Sequence, residues 1–462
     1  MNIFKQIGAF FMSLFFKYNL ESVTGIKTSV SSLMVNKIDL WNLILQGRAP
    51  WNNEAAPSGI VNATVGQIAN AVSEEVDVFS DNEKLNEVMH KLNENSKELV
   101  QYMIALGSCV VRPVYKNGRL QYEIVRLGNY IPTSYDLDGT LLGCVITKKI
   151  DEGDKEFLLL ERHNYRNKTH SVTMELYRIK NGSLAKTTLD ACTVTAGLTA
   201  AYSWDNVEKP FIVEFRNREP NTIDGSNVPC ALWQTTENLI ENVDKQFSRL
   251  NWEQEGGEMV VFADEDLFKK HQVKKGEKVT KQLSPTLEKL VVKISGNGTS
   301  EEKIQTHAPA LRTQAQKDAL NEMLRRCEIA WNIGKGTLSD LGEVSQTATQ
   351  YTGGKKALYT LVDTIESELE QKYKDLAYIF AYMLSAYENV KFNNDLVIKY
   401  NDTARKDPEA IRRAALEEVM QGIISPAEYR ERIFGEDEET AKARVPEVNA
   451  AGSMGGYFNL EG

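Results

Sequence analysis

From Lys356 to about Tyr387 apolar residues return every three or four positions: Leu358, Leu361, Val362, Ile365, Leu369, Leu376, Phe380, Met383 and Leu384. That period puts them on one stripe of an α-helix. Roughly thirty residues at about 1.5 Å each reach on the order of 45 Å, longer than an average globular helix. Such a shaft does not fit a small bundle, and with little hydrophobic bulk around it the stripe is expected to need neighbouring copies of the chain to cover it. Directly before it runs "GKGTLSDLGEVSQTATQYTGGK", a loop of small and hydroxyl-bearing residues. Glycines and lysine beside hydroxyls suggest a phosphate cradle, but a P-loop needs Gly-Lys followed at once by Ser or Thr, with a strand leading in. Lys335 is followed by Gly336 and Lys355 by Lys356, and no strand precedes either. The cradle fails, and a polar loop on a long shaft remains.

The rest of the chain reads as α+β. A capping box, Ser80 with Glu83, opens a helix through Leu85, Val88, Leu92, Leu99 and Met103 that Gly107 closes. Strand-like runs then alternate with turn signals as far as Phe215: "CVVRPVY", "KNG", "LQYEIVRL", "YIPTSYDLDGT", "LLGCVITKKI", "KEFLLLERHNY" and "TMELYRI", again with "KNG". Antiparallel hairpins fit this order better than βαβ units. A helix is expected from about Cys230 to Glu255 and another from Leu311 to Gly334, with a small β-insert between them. After the shaft come the strand "DLVIKYN" and two helices, one entered at "DPEA" and one at "SPAE", then a flexible tail.

Chemistry-bearing motifs are scarce. The histidines (His90, His163, His170, His271, His307) show no metal-ligand spacing, and His163 and His170 have no nearby cysteine to complete a site. No GxSxG elbow appears, and the acidic run Glu436–Glu439 reads as solvated surface or a helix start. The five cysteines are unpaired in spacing, which suits reduced, buried thiols. No cofactor, metal or catalytic residue is expected. With 54 Lys and Arg against 64 Asp and Glu, net charge −10, the chain has no global basic field, so DNA would be passed along rather than gripped. The apolar start, with Ile3, Phe4, Ile7, Phe10, Phe11, Leu14 and Phe15 on one stripe, is interrupted by Lys5 and Gln6 and suits a docked helix better than a membrane anchor. Trp233 and Trp252 on the first paired helix and Trp331 at the end of the second fit either the chain's own core or contacts between neighbouring copies.

Several segments, in order, resemble the portal proteins of long-tailed bacteriophages. They are "WNLILQGRAPW" (Trp41 to Trp51), "ALGSCVVRPVYKNGRLQYEIVRLGNYIPTSYDLDGTLLGCVI", "LERHNY", "EPNTIDGSNVPC" leading to a helix with Asp244, "GTLSDLGEVSQTATQ" before a long helix, and "LEEVMQGIISPAEYRERIFGEDEETAKAR". The family's usual threonine-glutamate pair reads Thr349–Gln350 here, and the tail past Val445 has no counterpart.

The resemblance implies a portal fold: a mixed wing (1–229), stem helices (230–256 and 310–333), a small β clip (257–309) and a channel loop (334–354). A crossing helix with a returning wing strand (355–400) and a helical crown with a flexible tail (401–462) complete it. It implies a structural, non-enzymatic protein forming a homo-dodecameric ring at one capsid vertex of the virion, assembled in the host bacterial cytoplasm. Double-stranded DNA would pass through it during packaging and ejection. Its partners would be the terminase large subunit, major capsid and scaffolding proteins, then head-completion adaptor and tail proteins, with no membrane. Lys335, Ser339, Ser345, Gln346, Thr347 and Thr349 would face the DNA channel, and Lys274, Lys275 and Lys278 would dock the motor. Trp233, Phe247, Trp252 and Trp331 would meet neighbouring subunits. The other classes weighed are a nucleic-acid-processing enzyme, expected to be metal-dependent and monomeric or dimeric, and a membrane-associated scaffold, expected to lose liposome binding without residues 1–17.

Overall fold

The computed structural model describes residues 16, 18–73, 76–256, 260–264, 291–294, 304–307, 312–340, 348–400 and 408–445. The Ile3–Phe15 stripe, the lysines at 274, 275 and 278, loop residues 345–347 and the tail lie outside them.

Helices α1 (Leu20–Thr24), α2 (Ser32–Leu45) and α3 (Ile60–Ser73) lead to strand β1 (Val76–Phe79) and helices α4 (Glu83–Glu94) and α5 (Ser96–Leu106). The single helix expected over 80–107 is thus two. Three asparagines account for the difference, since short amide side chains compete with the helical backbone. Asn82, not Ser80, caps α4 by accepting from Leu85 N, while the Ser80 hydroxyl donates to Asp395 O at 2.8 Å. Asn93 Nδ2 donates to Val76 O, and Asn95 turns the chain between α4 and α5.

The expected antiparallel hairpins are present. Strands β2 (Ser108–Lys116) and β3 (Arg119–Arg126) pair, and β10 (Val213–Arg216) joins them in the order β10-β2-β3. A second sheet runs β4 (Tyr130–Tyr135), β5 (Leu141–Glu152), β6 (Lys155–Arg166), β7 (Thr169–Lys180) and β8 (Ser183–Thr187), with β9 (Ala201–Trp204) also on β7. The turns Asn117-Gly118 (φ 55° and 71°) and Asn181-Gly182 (φ 52° and 78°) are left-handed at both positions, as two-residue hairpins of matching twist require. Gly107 closes α5 at φ 98°, and a Cβ there would sit 2.7 Å from the Cys230 backbone, so only glycine lets the 229–230 segment pass.

Helix α6 (Glu237–Gly256) starts later than expected, because 230–236 is spent on turns beneath α5, where Leu232 N donates to Ile104 O. Strands β11 (Val260–Asp264), β12 (Val291–Ile294) and β13 (Ile304–His307) form the expected small β-insert, in the order β12-β11-β13. Helix α7 (Thr313–Ala330) follows. Helix α8 spans Ala348–Glu388, 41 residues or about 60 Å, and takes in Gly353 and Gly354, which sequence reading left in the loop. Strand β14 (Val397–Tyr400) pairs antiparallel with β1, and α9 (Pro408–Met420), α10 (Pro426–Phe434) and α11 (Glu438–Arg444) complete the described chain. Ser425 and Glu428 form the capping box at α10, with Pro426 in its first turn.

The shaft's stripe does not wait for a neighbour. Leu358, Val362, Ile365, Leu369, Leu376, Phe380, Met383 and Leu384 are all buried within this chain. Tyr373 of α8 meets Phe215 edge-on at 6.0 Å, Phe211 meets Tyr382 at 5.2 Å, and Tyr115 stacks on Tyr387 at 4.7 Å. All five cysteines are free and buried.

Candidate stem and channel-loop site

Helix α6 carries three polar residues, Glu237, Asp244 and Ser248, spaced seven and four apart and therefore on one face. Glu237 receives its donors from α2, and Asp244 and Ser248 receive theirs from the segment between α2 and α3. Glu237 Oε1 accepts from Lys37 Nζ (2.7 Å) and Trp41 Nε1 (3.0 Å). Asp244 Oδ2 accepts from Trp51 Nε1 (2.8 Å) and Asn52 Nδ2 (3.3 Å), and its Oδ1 from Ser58 N (2.8 Å) and Ser58 Oγ (2.7 Å). Ser248 Oγ accepts from Ala56 N at 2.7 Å. Asp244 is only 4% exposed, and a buried carboxylate is tolerated because its lone pairs are met by this set of donors. The tryptophans at both ends of "WNLILQGRAPW" thus root α6 in the N-terminal block.

Helices α6 and α7 run antiparallel. Trp331 donates Nε1 to Thr236 Oγ1 (3.0 Å) at the root and lies edge-on to Trp233 at 6.0 Å. Gln246 Nε2 donates to Gln316 Oε1 at mid-length (2.6 Å). At the far end the Arg312 guanidinium grips Glu253 through Nε (3.2 Å) and a terminal nitrogen (2.9 Å), which holds that carboxyl below its ordinary range.

Beyond α7 the chain folds back. Residues 332, 334 and 336 are left-handed, with φ of 54°, 82° and 78°. Glu328, 1% exposed, then accepts from Leu338 N (2.6 Å), Ser339 N (2.6 Å) and Ser339 Oγ (2.8 Å). Asn321 closes a two-way pair with Asp340: Nδ2 donates to Asp340 O (2.9 Å) and Oδ1 accepts from Asp340 N (2.7 Å). Gln67 Nε2 of α3 donates to Thr337 O at 3.2 Å.

A separate polar chain crosses the second sheet. Phe211 N donates to His170 Nδ1 (3.2 Å), so the His170 proton sits on Nε2 and points to His163 Nδ1 (3.1 Å). His163 Nε2 then meets Glu161 Oε1 at 2.8 Å, and Arg112 pairs with Glu161 and Glu123. Burial, then the neighbouring His163, pushes His170 down to about 2. Burial alone would raise Glu161, but the bonds from His163 and Arg112 bring it to about 2. The two histidines do meet, as part of a closed structural chain. Among the described residues no group of three or more His, Cys, Asp or Glu is placed to hold a metal ion.

A block of antiparallel hairpins, an antiparallel helix pair with a β-insert between its members, and a long buried helix follow one another along the chain. Residues 69–447 match the family model described as phage portal protein, SPP1 Gp6-like. The chain belongs to that family. No curated protein matches it. Portal proteins of this family are structural rather than catalytic, and among the described residues of this portal chain no helix is long and apolar enough to cross a membrane.

The residues singled out from the sequence fall in different places. Trp233 and Trp331 are 0% and 2% exposed against each other, so they belong to this portal subunit's own core and not to a contact between copies. Phe247 is half-buried and lines a groove of about 280 Å³ with Ile60, Val243, Leu320, Leu324 and Leu338. Trp252 is 67% exposed. Lys335 is exposed, whereas Ser339 is buried on Glu328 and offers no surface to a channel. Thr349 lies in the first turn of α8. Ser345, Gln346, Thr347, Lys274, Lys275 and Lys278 lie outside the described residues. Sequence reasoning missed Glu328, although its place beside Leu324, Cys327 and Trp331 marks a carboxylate on an apolar face, which must have partners.

Proposed function

We propose that copies of this portal-family chain close into a dodecameric ring at one capsid vertex of the virion, assembled in the host cytoplasm. The ring would be the channel through which double-stranded DNA is packaged and ejected. Residues 1–229 would form the wing, the paired helices around 230–256 and 310–333 the stem, 257–309 the clip, and 401–462 the crown. The clip would dock the terminase large subunit, with Lys274, Lys275 and Lys278 in contact, and later the head-completion adaptor and tail. Major capsid and scaffolding proteins would surround the wing.

The observation that carries this reading is the stem. It is fixed to the wing at its root, yet leaves Trp252 67% and Ile329 64% exposed, with Phe247, Leu320 and Leu324 half-covered. Apolar anchors on a rigid helix pair suit head-to-tail contacts with the next copy, and such contacts generate a ring when the rotation closes. Duplex DNA carries one charge per about 1.7 Å, so a channel lined by strong cations would hold it back. Gln346, Thr347, Thr349 and Ser345 offer neutral hydrogen-bonding groups for the channel instead, with Lys335 adding little charge. Electron microscopy and mass measurement of the purified chain test the proposal: annular particles with a central hole are expected. A lone folded molecule at every concentration would refute it.

A further inference from the structure

The segment from Thr337 to Asp340 lies along α7 as a strap, running back from the helix end to Asn321. Its polar fastening passes through Glu328 and Asn321, seven residues apart on one face of α7, with Gln67 contributing from α3. Arg325 lies between those two positions on the same face, and its Nε is buried without a hydrogen-bond partner. We infer that this strap is the releasable foot of the channel loop, a two-position device that sets how much chain the loop can extend.

Three features make the docked position reversible. Closure removes water from the Glu328 carboxylate and opening returns it, so the polar gain of docking is largely offset. The apolar part is small, because Leu338 enters the groove beside Phe247 and Leu324 only half-buried. The left-handed residues Asn332, Gly334 and Gly336 stand directly before the strap, where a hinge must absorb backbone rotation. Releasing 337–340 frees four further residues, about 13 Å of extended chain, ahead of 341–347. The effect on DNA rests on the channel reading above; the strap stands on its own bonds.

Residue-resolved hydrogen exchange on the full chain tests it. The amides of Leu338, Ser339 and Asp340 should be protected, yet exchange at least about tenfold faster than Cys327 inside α7, as a separately opening unit does. Glu328→Ala should bring 338 and 339 close to the unprotected rate, and Asn321→Ala should do so for 340. The Ser58 amide, held by Asp244, reports that the fold is intact. Should Glu328→Ala unfold the chain, Ser58 will lose protection too, and Ser339→Ala then decides the matter by an intermediate loosening of 338–340 alone. Unprotected strap amides in the native chain, opening only together with α7, or unchanged protection in whichever variant folds would each overturn the inference. A chain that shows the strap but forms no ring would keep the device and lose the channel.

Discussion

Trp51 donates its indole Nε1 to Asp244 Oδ2 at 2.8 Å across 193 residues of sequence. Ten residues earlier, Trp41 does the same to Glu237, about two helical turns up α6. One short segment thereby fixes both the position and the rotation of α6.

Replacing Trp51 by Phe keeps most of the packing and removes one donor to a buried carboxylate. A loss of about 1.5–3 kcal/mol is expected, the range for hydrogen bonds to charged groups. A double-mutant cycle with Asp244→Asn, read by urea unfolding, should show coupling of about 1 kcal/mol or more. Additive effects would mean that the two residues act independently.

His170 gives the fold an acid limit. Its folded value of about 2 lies below the ordinary 6.5, so the unfolded chain takes up this proton first as pH falls. The contribution is fully present above about pH 6.5 and drains away toward pH 2. Glu161, brought from 4.5 to about 2, adds loss in the same direction below about 4.5. At pH 5 the His170 part alone should cost about 2 kcal/mol relative to pH 7.5. Urea titrations at both values should show it, with the difference much reduced in His170→Phe.

The tryptophans separate core from contact surface. Trp331→Ala should cost about 3–5 kcal/mol, as expected for emptying a buried aromatic site. Trp252→Ala should leave thermal unfolding of the single chain within about 0.5 kcal/mol. It should nonetheless weaken ring formation by about 2 kcal/mol or more in sedimentation or mass measurements.

Gly107→Ala places a methyl at φ 98°, 2.7 Å from the Cys230 backbone. A loss of at least about 2 kcal/mol is expected, since both the left-handed backbone and the approach of 229–230 must give. Gly118→Ala meets nothing within 4 Å and should cost only its backbone strain, so the difference between the two measures the crowding.

Gln346→Ala with Thr347→Ala tests the loop. Rings assembled from the double variant should package DNA more slowly while keeping normal particle mass. Unchanged packaging would remove any special role for these side chains.

What was legible in the sequence was mostly local. The Asn-Gly turns and the Ser425–Glu428 box set their own geometry within four residues, and both formed as read. The Ser80–Glu83 box has the same letters and did not form: the helix starts two residues later with Asn82 as its cap, while Ser80 Oγ accepts from Asn82 N and donates to Asp395 O, 315 residues away. Gly353 and Gly354 read as a loop by propensity, yet α8 runs through them. The stripe of α8 was found correctly and its cover was not, since the sheets that bury it are assembled from distant strands. The candidate site divided the same way. Asp244 stood out within its segment, but its indole partner lay far off, and Glu328 went unseen because its partners are backbone amides, which no residue type announces.

Helix α8 runs from Ala348 to Glu388 and packs against β10 and helices α3 and α4, with Tyr373 fully enclosed along its length. Held from Leu358 to Leu384, that length has little freedom to bend or pivot on its own. A displacement of the helix would therefore carry the elements packed on it, and with them the Tyr115–Tyr387 stack near its end.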